Sequence, residues 1–166
     1  IQEYMVKGIK EYIDKYPMMQ ISTPCRSSWG ANGYSEVWLN QTNDYAHKHL
    51  HETGDRMVQL AQKFSNLKNE KPETPKLKKE KEIKIRALNQ CARELLLLQS
   101  SDWLFIITNG TMVDYAKKRI KDHVGRFTRL YHALINNELD KEFIAFLEDI
   151  EEKDCIFPEI DYMIYG

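Results

Sequence analysis

The stretch from Ile83 to Gln99 limits the possible folds more than any other part of the chain. Placed on a helix, Leu88, Cys91, Ala92, Leu95, Leu96 and Leu98 spread over more than one side. A surface helix carries one apolar stripe, whereas a helix apolar on several sides needs neighbours around it. The segment therefore belongs at the centre of a bundle, and the remaining chain has to supply the helices that cover it. From Asn43 to about Leu67, the residues Ala46, Leu50, Thr53, Met57, Leu60 and Phe64 recur at three and four, with Thr42 or Asn43 placed to cap. A longer helix to about Asn136 carries Ala116, Ile120, His123, Val124, Phe127, Leu130, Tyr131 and Leu134 inward, with Thr111 or Asn109 as its cap. Leu139 to Glu152 adds Phe143, Phe146, Leu147 and Ile150.

Two segments are less clear. Trp103-Leu104-Phe105-Ile106-Ile107 has the composition of a strand, but it lies between helices and follows the cap signal Ser100-Ser101-Asp102, which favours a short helix. Residues 1–16 show Met5, Ile9, Tyr12, Ile13 and Tyr16 along one side and are stopped by Pro17. The expected fold is all-α, a bundle of about five helices with a long aromatic loop and an ordered C-terminal tail. Residues 68–82, with two prolines and dense charge, read as a solvated linker. The apolar tail from Cys155 to Tyr165 is expected to lie across the bundle.

The overall balance excludes several function classes. The 166 residues suit one domain, and a net charge of −1 with 30% charged residues argues against a dedicated nucleic-acid binder. No apolar run is long enough to span a membrane. The start, Ile1-Gln2-Glu3-Tyr4, has neither an initiator Met nor the pattern of a signal peptide, so the chain looks like an excised piece of something longer. Cys25, Cys91 and Cys155 show no CxxC spacing and suggest reduced thiols in a cytoplasmic setting, with Cys91 in the core.

Few residues carry candidate chemistry. His47, His49 and His51 alternate, so only His47 and His51 share a helix face, short of the three or four convergent ligands of a zinc site. No metal is expected. No nucleophile elbow, phosphate-binding glycine loop or cofactor motif appears, and no cofactor is expected. Glu148-Asp149 and Glu151-Glu152 read as solvated charge at a helix end.

The loop Ser27 to Leu39 is different. It holds Trp29 and Trp38, with Tyr34 between them, among Gly and Ser rather than on a periodic element. An indole offers a broad apolar face and one N–H, which suits the C–H face of a pyranose ring, with Ser, Asn and Glu nearby for the hydroxyls. The alternative is that both indoles plug the loop onto the bundle, and chemistry alone leans that way because aromatics mostly bury. Glu36-Val37-Trp38-Leu39 itself could be extended or one turn of helix. Asp102, beside Trp103, is either an N-cap or an acceptor for sugar hydroxyls at the same cleft.

Ordered blocks then bring a family into view. Ser28-Trp29-Gly30, Gly33-Tyr34 and Glu36-Val37-Trp38-Leu39-Asn40, followed by a His-containing helix, resemble the C-terminal region of family 57 glycoside hydrolases. Within that family the likeness is to the 1,4-α-glucan branching enzymes. Arg86-Ala87-Leu88-Asn89-Gln90 through Ala92 to Leu97, then Gln99-Ser100-Ser101-Asp102-Trp103, is similar to the same region. So are Gly110-Thr111-Met112-Val113-x-Tyr115-Ala116 with His123 after it, and Phe157-Pro158-x-Ile160-Asp161-Tyr162.

The resemblance implies a parent with an N-terminal incomplete (β/α) barrel, a Glu nucleophile and an Asp acid/base working by retention. A helical C-terminal domain packs on that barrel and helps close the glucan cleft. Residues 17–166 correspond to the helical domain, and 1–16 to the last helix associated with the barrel. The barrel and both catalytic carboxylates are absent from this sequence, so the piece alone is expected to be inactive and to hold no catalytic residue. By the same resemblance Trp29, Trp38, Asp102 and Trp103 are substrate-binding residues. The implied partners are an α-glucan of the glycogen or amylose kind and the parent's barrel, in glycogen biosynthesis, with no nucleic acid and no membrane. The rival readings are a same-family α-amylase or 4-α-glucanotransferase domain, and a structural or protein-interaction domain.

Overall fold

The computed structural model describes residues 35–166. The expected helix over 1–16, Trp29, Cys25 and the loop before Ser35 lie outside the described residues. Five α-helices follow one another: α1 Asp44–Lys63, α2 Pro75–Leu98, α3 Ser101–Asn109, α4 Val113–Asn136 and α5 Lys141–Lys153. Short 3-10 turns occur at Leu67–Asn69 and Tyr162–Tyr165. The described residues contain no strand, and the run from Trp103 to Ile107 is helical.

Helix α2 takes the central place. Its buried residues, among them Ile83, Leu88, Cys91, Ala92, Leu95 and Leu98, face several neighbours at once. It packs most extensively on α4 and also on α1 and α5. The helices enclose two apolar clusters. The larger joins Met57 and Leu60 of α1, Leu88 and Leu95 of α2, Phe127, Leu130 and Leu134 of α4, and Leu147 and Ile150 of α5. The smaller gathers Ala46, Leu98, Leu104, Ile107, Ala116 and Ile120, where α3 crosses the ends of its neighbours. The described part of the aromatic loop comes to rest on this second cluster.

The helix ends follow local chemistry, with two departures from the sequence reading. Residues 75–82 are not linker but the first two turns of α2. Pro75 sits at the first helical position, where a missing N–H is harmless, and Thr74 Oγ1 accepts from Leu77 N at 3.3 Å. The lysines and glutamates that follow are good helix formers, and Lys84 bonds Glu80 at 2.7 Å one turn away. The second departure is at α4. Neither Thr111 nor Asn109 caps it. Met112 holds that position without a side-chain bond, and Asn109 is the last residue of α3, its amide on Phe105 O at 3.0 Å. Gly110 ends α3 at φ +72°, a conformation that favours glycine. Asp140 caps α5 by accepting from Phe143 N at 2.8 Å.

After α5, the tail returns to the bundle at Tyr162, whose ring is fully buried. Its hydroxyl donates to Phe64 O at 2.9 Å and its backbone N–H to Asn89 Oδ1 at 3.1 Å. Lys68 pairs with Asp161 at 2.5 Å and holds that carboxyl below its ordinary range. Ile156 and Phe157 remain exposed. Tyr162→Phe keeps the ring and leaves the Phe64 carbonyl with Leu67 N, at 3.0 Å, as its remaining donor. The expected loss is about 1 kcal/mol of unfolding free energy in urea, and an unchanged midpoint would show that this donor or water serves the carbonyl equally well.

Candidate functional site

Trp38 stands in a hydrogen-bonded turn. Trp38 N and Leu39 N both donate to Ser35 O, at 2.9 and 3.0 Å, which is the one-turn-of-helix alternative for this segment. The turn's carbonyls are then secured from outside. Asn40 Nδ2 donates to Glu36 O at 2.6 Å, Thr108 Oγ1 donates to Val37 O at 2.6 Å, and His47 Nε2 donates to Trp38 O at 2.9 Å. Asn43, fully buried, extends its amide to Thr108 Oγ1 at 2.9 Å, Val37 O at 3.2 Å and Leu104 O at 3.4 Å, while its Oδ1 accepts from Asn40 N at 2.9 Å. Two asparagines and one threonine thus fasten the loop's end to α3.

So fastened, Trp38 and Trp103 pack against the same small cluster, each half-buried. The Trp103 indole donates to Leu97 O at 2.7 Å. The Trp38 indole N–H is sealed from solvent and has no partner among the described residues. Asp102 precedes Trp103 and is exposed in the first turn of α3. It is not the N-cap. Ser100 occupies that position, and its hydroxyl donates to Asp102 Oδ2 at 2.9 Å. The structure therefore brings Trp38 and Trp103 together on one cluster and leaves Asp102 exposed beside Trp103 in sequence, and Trp29 lies outside the described residues.

A second polar group lies deeper. Glu94 of α2 and His123 of α4 are fully buried, with His123 Nδ1 2.7 Å from Glu94 Oε2. The carboxylate accepts, so Nδ1 carries the proton. Gln90 Nε2 donates to Glu94 Oε1 at 2.9 Å, and Asp154 Oδ2 lies 4.0 Å from His123 Nδ1. One histidine and two carboxylates converging like this have the donor types of a metal site. Two guanidiniums already fill the cation's place. Arg126 bonds Asp154 and lies 4.0 Å from Glu94, and Arg119 is 3.7 Å from Asp154. A divalent ion would have to displace them or endure their repulsion, so the group fits a buried charge network. His47 and His51 meet edge-on at 6.2 Å, and His47 is engaged by Trp38 O.

Residues 49–165 match the family model described as 1,4-alpha-glucan branching enzyme, C-terminal. The chain belongs to this family. A 1,4-alpha-glucan branching enzyme of Thermococcus kodakarensis is 35% identical over 131 residues, 78% of this chain and 18% of that protein. The crystal structure of a GH57-type branching enzyme from the hyperthermophilic archaeon Pyrococcus horikoshii superposes with a TM-score of 0.71 at 31% identity, over 95% of this chain and 27% of the other. That of the Thermococcus GH57 branching enzyme, crystallised with glucose and additives, gives 0.72 at 30% identity, over 94% and 26%. The chain thus spans about a quarter or less of the length of these relatives.

In this branching-enzyme C-terminal domain the sequence reading missed three kinds of residue. Thr108 hides in an apolar helix, where one hydroxyl gives no pattern. Glu94 and Gln90, one turn apart on the most buried helix, were a visible signal, since polar groups there need partners. Tyr115 and Arg119, one turn apart on α4, both approach Trp103, at 6.0 Å ring to ring and 5.9 Å guanidinium to ring.

Proposed function

We propose that this domain supplies aromatic contacts for an α-1,4-glucan to a catalytic barrel carried elsewhere in a longer branching enzyme. The observation that carries the reading is the placement of Trp38 and Trp103 on one cluster, with the exposed Asp102 next to Trp103 in the first turn of α3. Indole faces suit the C–H face of glucose, and an exposed carboxylate accepts from its hydroxyls. Trp29 belongs to the same proposed wall. The parent would cleave an α-1,4 bond by retention and re-form the chain as an α-1,6 branch. In that role the wall orients the acceptor glucan and keeps water from the glycosyl intermediate. A cytoplasmic setting goes with this proposal, consistent with Cys91 and Cys155 both being free thiols. Among the described residues no helix is long and apolar enough to cross a membrane.

The burial of Trp38 also favours the rival role of a plug that merely closes the loop on the bundle. Calorimetry with maltoheptaose separates the two. Trp38→Phe keeps an apolar plug and shrinks the sugar-facing surface, and it is expected to weaken binding about threefold to tenfold. Equal affinity in wild type and variant would leave Trp38 as a plug. In the full-length parent, α-1,6 branches among the products separate branching from hydrolysis or linear transfer.

A further inference from the structure

Tyr115 lies at the start of α4 with 47% of its surface exposed, outside both apolar clusters. An exposed tyrosine on a helix usually has freedom to swing. This one is held edge-on against Trp103, ring centres 6.0 Å apart and planes 71° from parallel. Trp103 cannot easily yield. Its indole N–H is tied to Leu97 O at 2.7 Å, and Arg119 rests its guanidinium 5.9 Å from the ring centre. Arg119 is itself drawn toward the buried Asp154 carboxylate, 3.7 Å away. The result is a propped aromatic corner whose outer ring faces solvent. The Tyr115 hydroxyl makes no hydrogen bond among the described residues. Arg119 borders this corner through its contact with Trp103, and Asp102 precedes Trp103 in the first turn of α3.

The geometry points to Tyr115 as a further α-glucan platform, stacking one glucose unit beyond those met by the tryptophans. An α-1,4 linkage turns the chain at each unit, so successive sugar faces are not coplanar. Two rings set at a steep angle can follow that turn, which a flat pair cannot. A pre-positioned ring also binds at less entropic cost than a free one. The inference rests on the glucan-binding reading above and adds a subsite to it. The competing occupant of the corner is protein, such as the remainder of a longer chain laid over Tyr115.

The test is a titration of the 15N-labelled 166-residue chain with maltoheptaose, followed by NMR, for wild type, Tyr115→Phe, Tyr115→Leu and Tyr115→Ala. In the wild type, shifts are expected at the Tyr115 amide and the Trp103 indole. Tyr115→Phe keeps the ring and should bind within about twofold of wild type, whereas Tyr115→Leu and Tyr115→Ala should bind about fivefold more weakly. Tyr115→Leu preserves an apolar prop for Trp103, so wild-type affinity in that variant would show that the ring is only a prop and overturn the proposal. Equal weakening by Phe and Ala would assign the effect to the hydroxyl and overturn the platform. Shifts confined to Trp38, with all variants unchanged, would overturn this subsite and leave the glucan reading standing. No binding by the wild-type chain would overturn both. Unchanged thermal midpoints establish that the variants are folded.

Discussion

Glu94→Leu is expected to lower the unfolding free energy by about 3–5 kcal/mol, and His123→Leu by a comparable amount. The cause is the dry setting of the pair. Both side chains are fully buried, His123 Nδ1 lies 2.7 Å from Glu94 Oε2, and Gln90 fills the other carboxylate oxygen at 2.9 Å. Removing Glu94 leaves the His123 Nδ1 donor without a hydrogen-bond acceptor, leaves Gln90 Nε2 only its longer bonds to Ile150 O and Asp154 O at 3.3 and 3.4 Å, and takes from Arg126 one of its two carboxylate neighbours. Removing His123 leaves a buried carboxylate held by one amide and a guanidinium 4.0 Å away. The double variant, Glu94→Leu with His123→Leu, removes both polar partners together and puts apolar groups between helices that are already apolar. It is expected to be milder than the sum of the single changes by about 2 kcal/mol or more, because the costs come from stranded groups. Urea unfolding of the four proteins reads the coupling directly. Additive losses would mean that the pair is hydrated or otherwise served, contrary to the geometry. The same comparison bears on function, since Arg119 joins this network to Trp103 through Asp154.

Much of the fold was legible because helical periodicity is local. The stripe on α1 and the several-sided apolar pattern of α2 can be read by counting along the chain, and each helix meets the neighbours its pattern requires. The failures came where two signals compete. Pro72 and Pro75 look alike in sequence, yet Pro72 lies in the irregular stretch before Thr74 while Pro75 opens a helix. Only the Thr74 cap distinguishes them. The candidate site was less legible for another reason. Tryptophan in a glycine-rich loop marked Trp38, but what holds it comes from far along the chain. Thr108 reaches back to Val37 and Asn40, and Asn43 reaches forward to Leu104. The network of Glu94, His123 and Asp154 draws one residue from each of α2 and α4 and one from the end of α5, so no window of sequence contains it. The closeness of Tyr115 and Trp103 depends on how α3 crosses α4, which periodicity does not specify.

Asn43→Ala is expected to release the loop. Asn43 sits at the cap position of α1 but makes no cap bond. Its side chain serves the loop instead, with three amide contacts and one accepted bond in a site without solvent access. Alanine strands the Asn40 N–H and removes a donor shared by Val37 O and Leu104 O. The expected loss is about 2–3 kcal/mol, since each buried group left unpaired costs about 1–3 kcal/mol and Thr108 still covers Val37 O. Asn43→Asp should be at least as damaging. The acid keeps the acceptor for Asn40 N but turns an oxygen toward two carbonyls where an amide had donated. Thr108→Val should cost less, because Asn43 still reaches Val37 O. Amide hydrogen exchange localises the effect. Protection should fall at Trp38, Leu39 and Asn43, whose N–H groups belong to the turn, before it falls in α2. Maltoheptaose affinity should fall with it if Trp38 must be held to meet the sugar. Lost protection with unchanged affinity would separate the loop from the ligand and leave Trp103 and Tyr115 as the surface that binds.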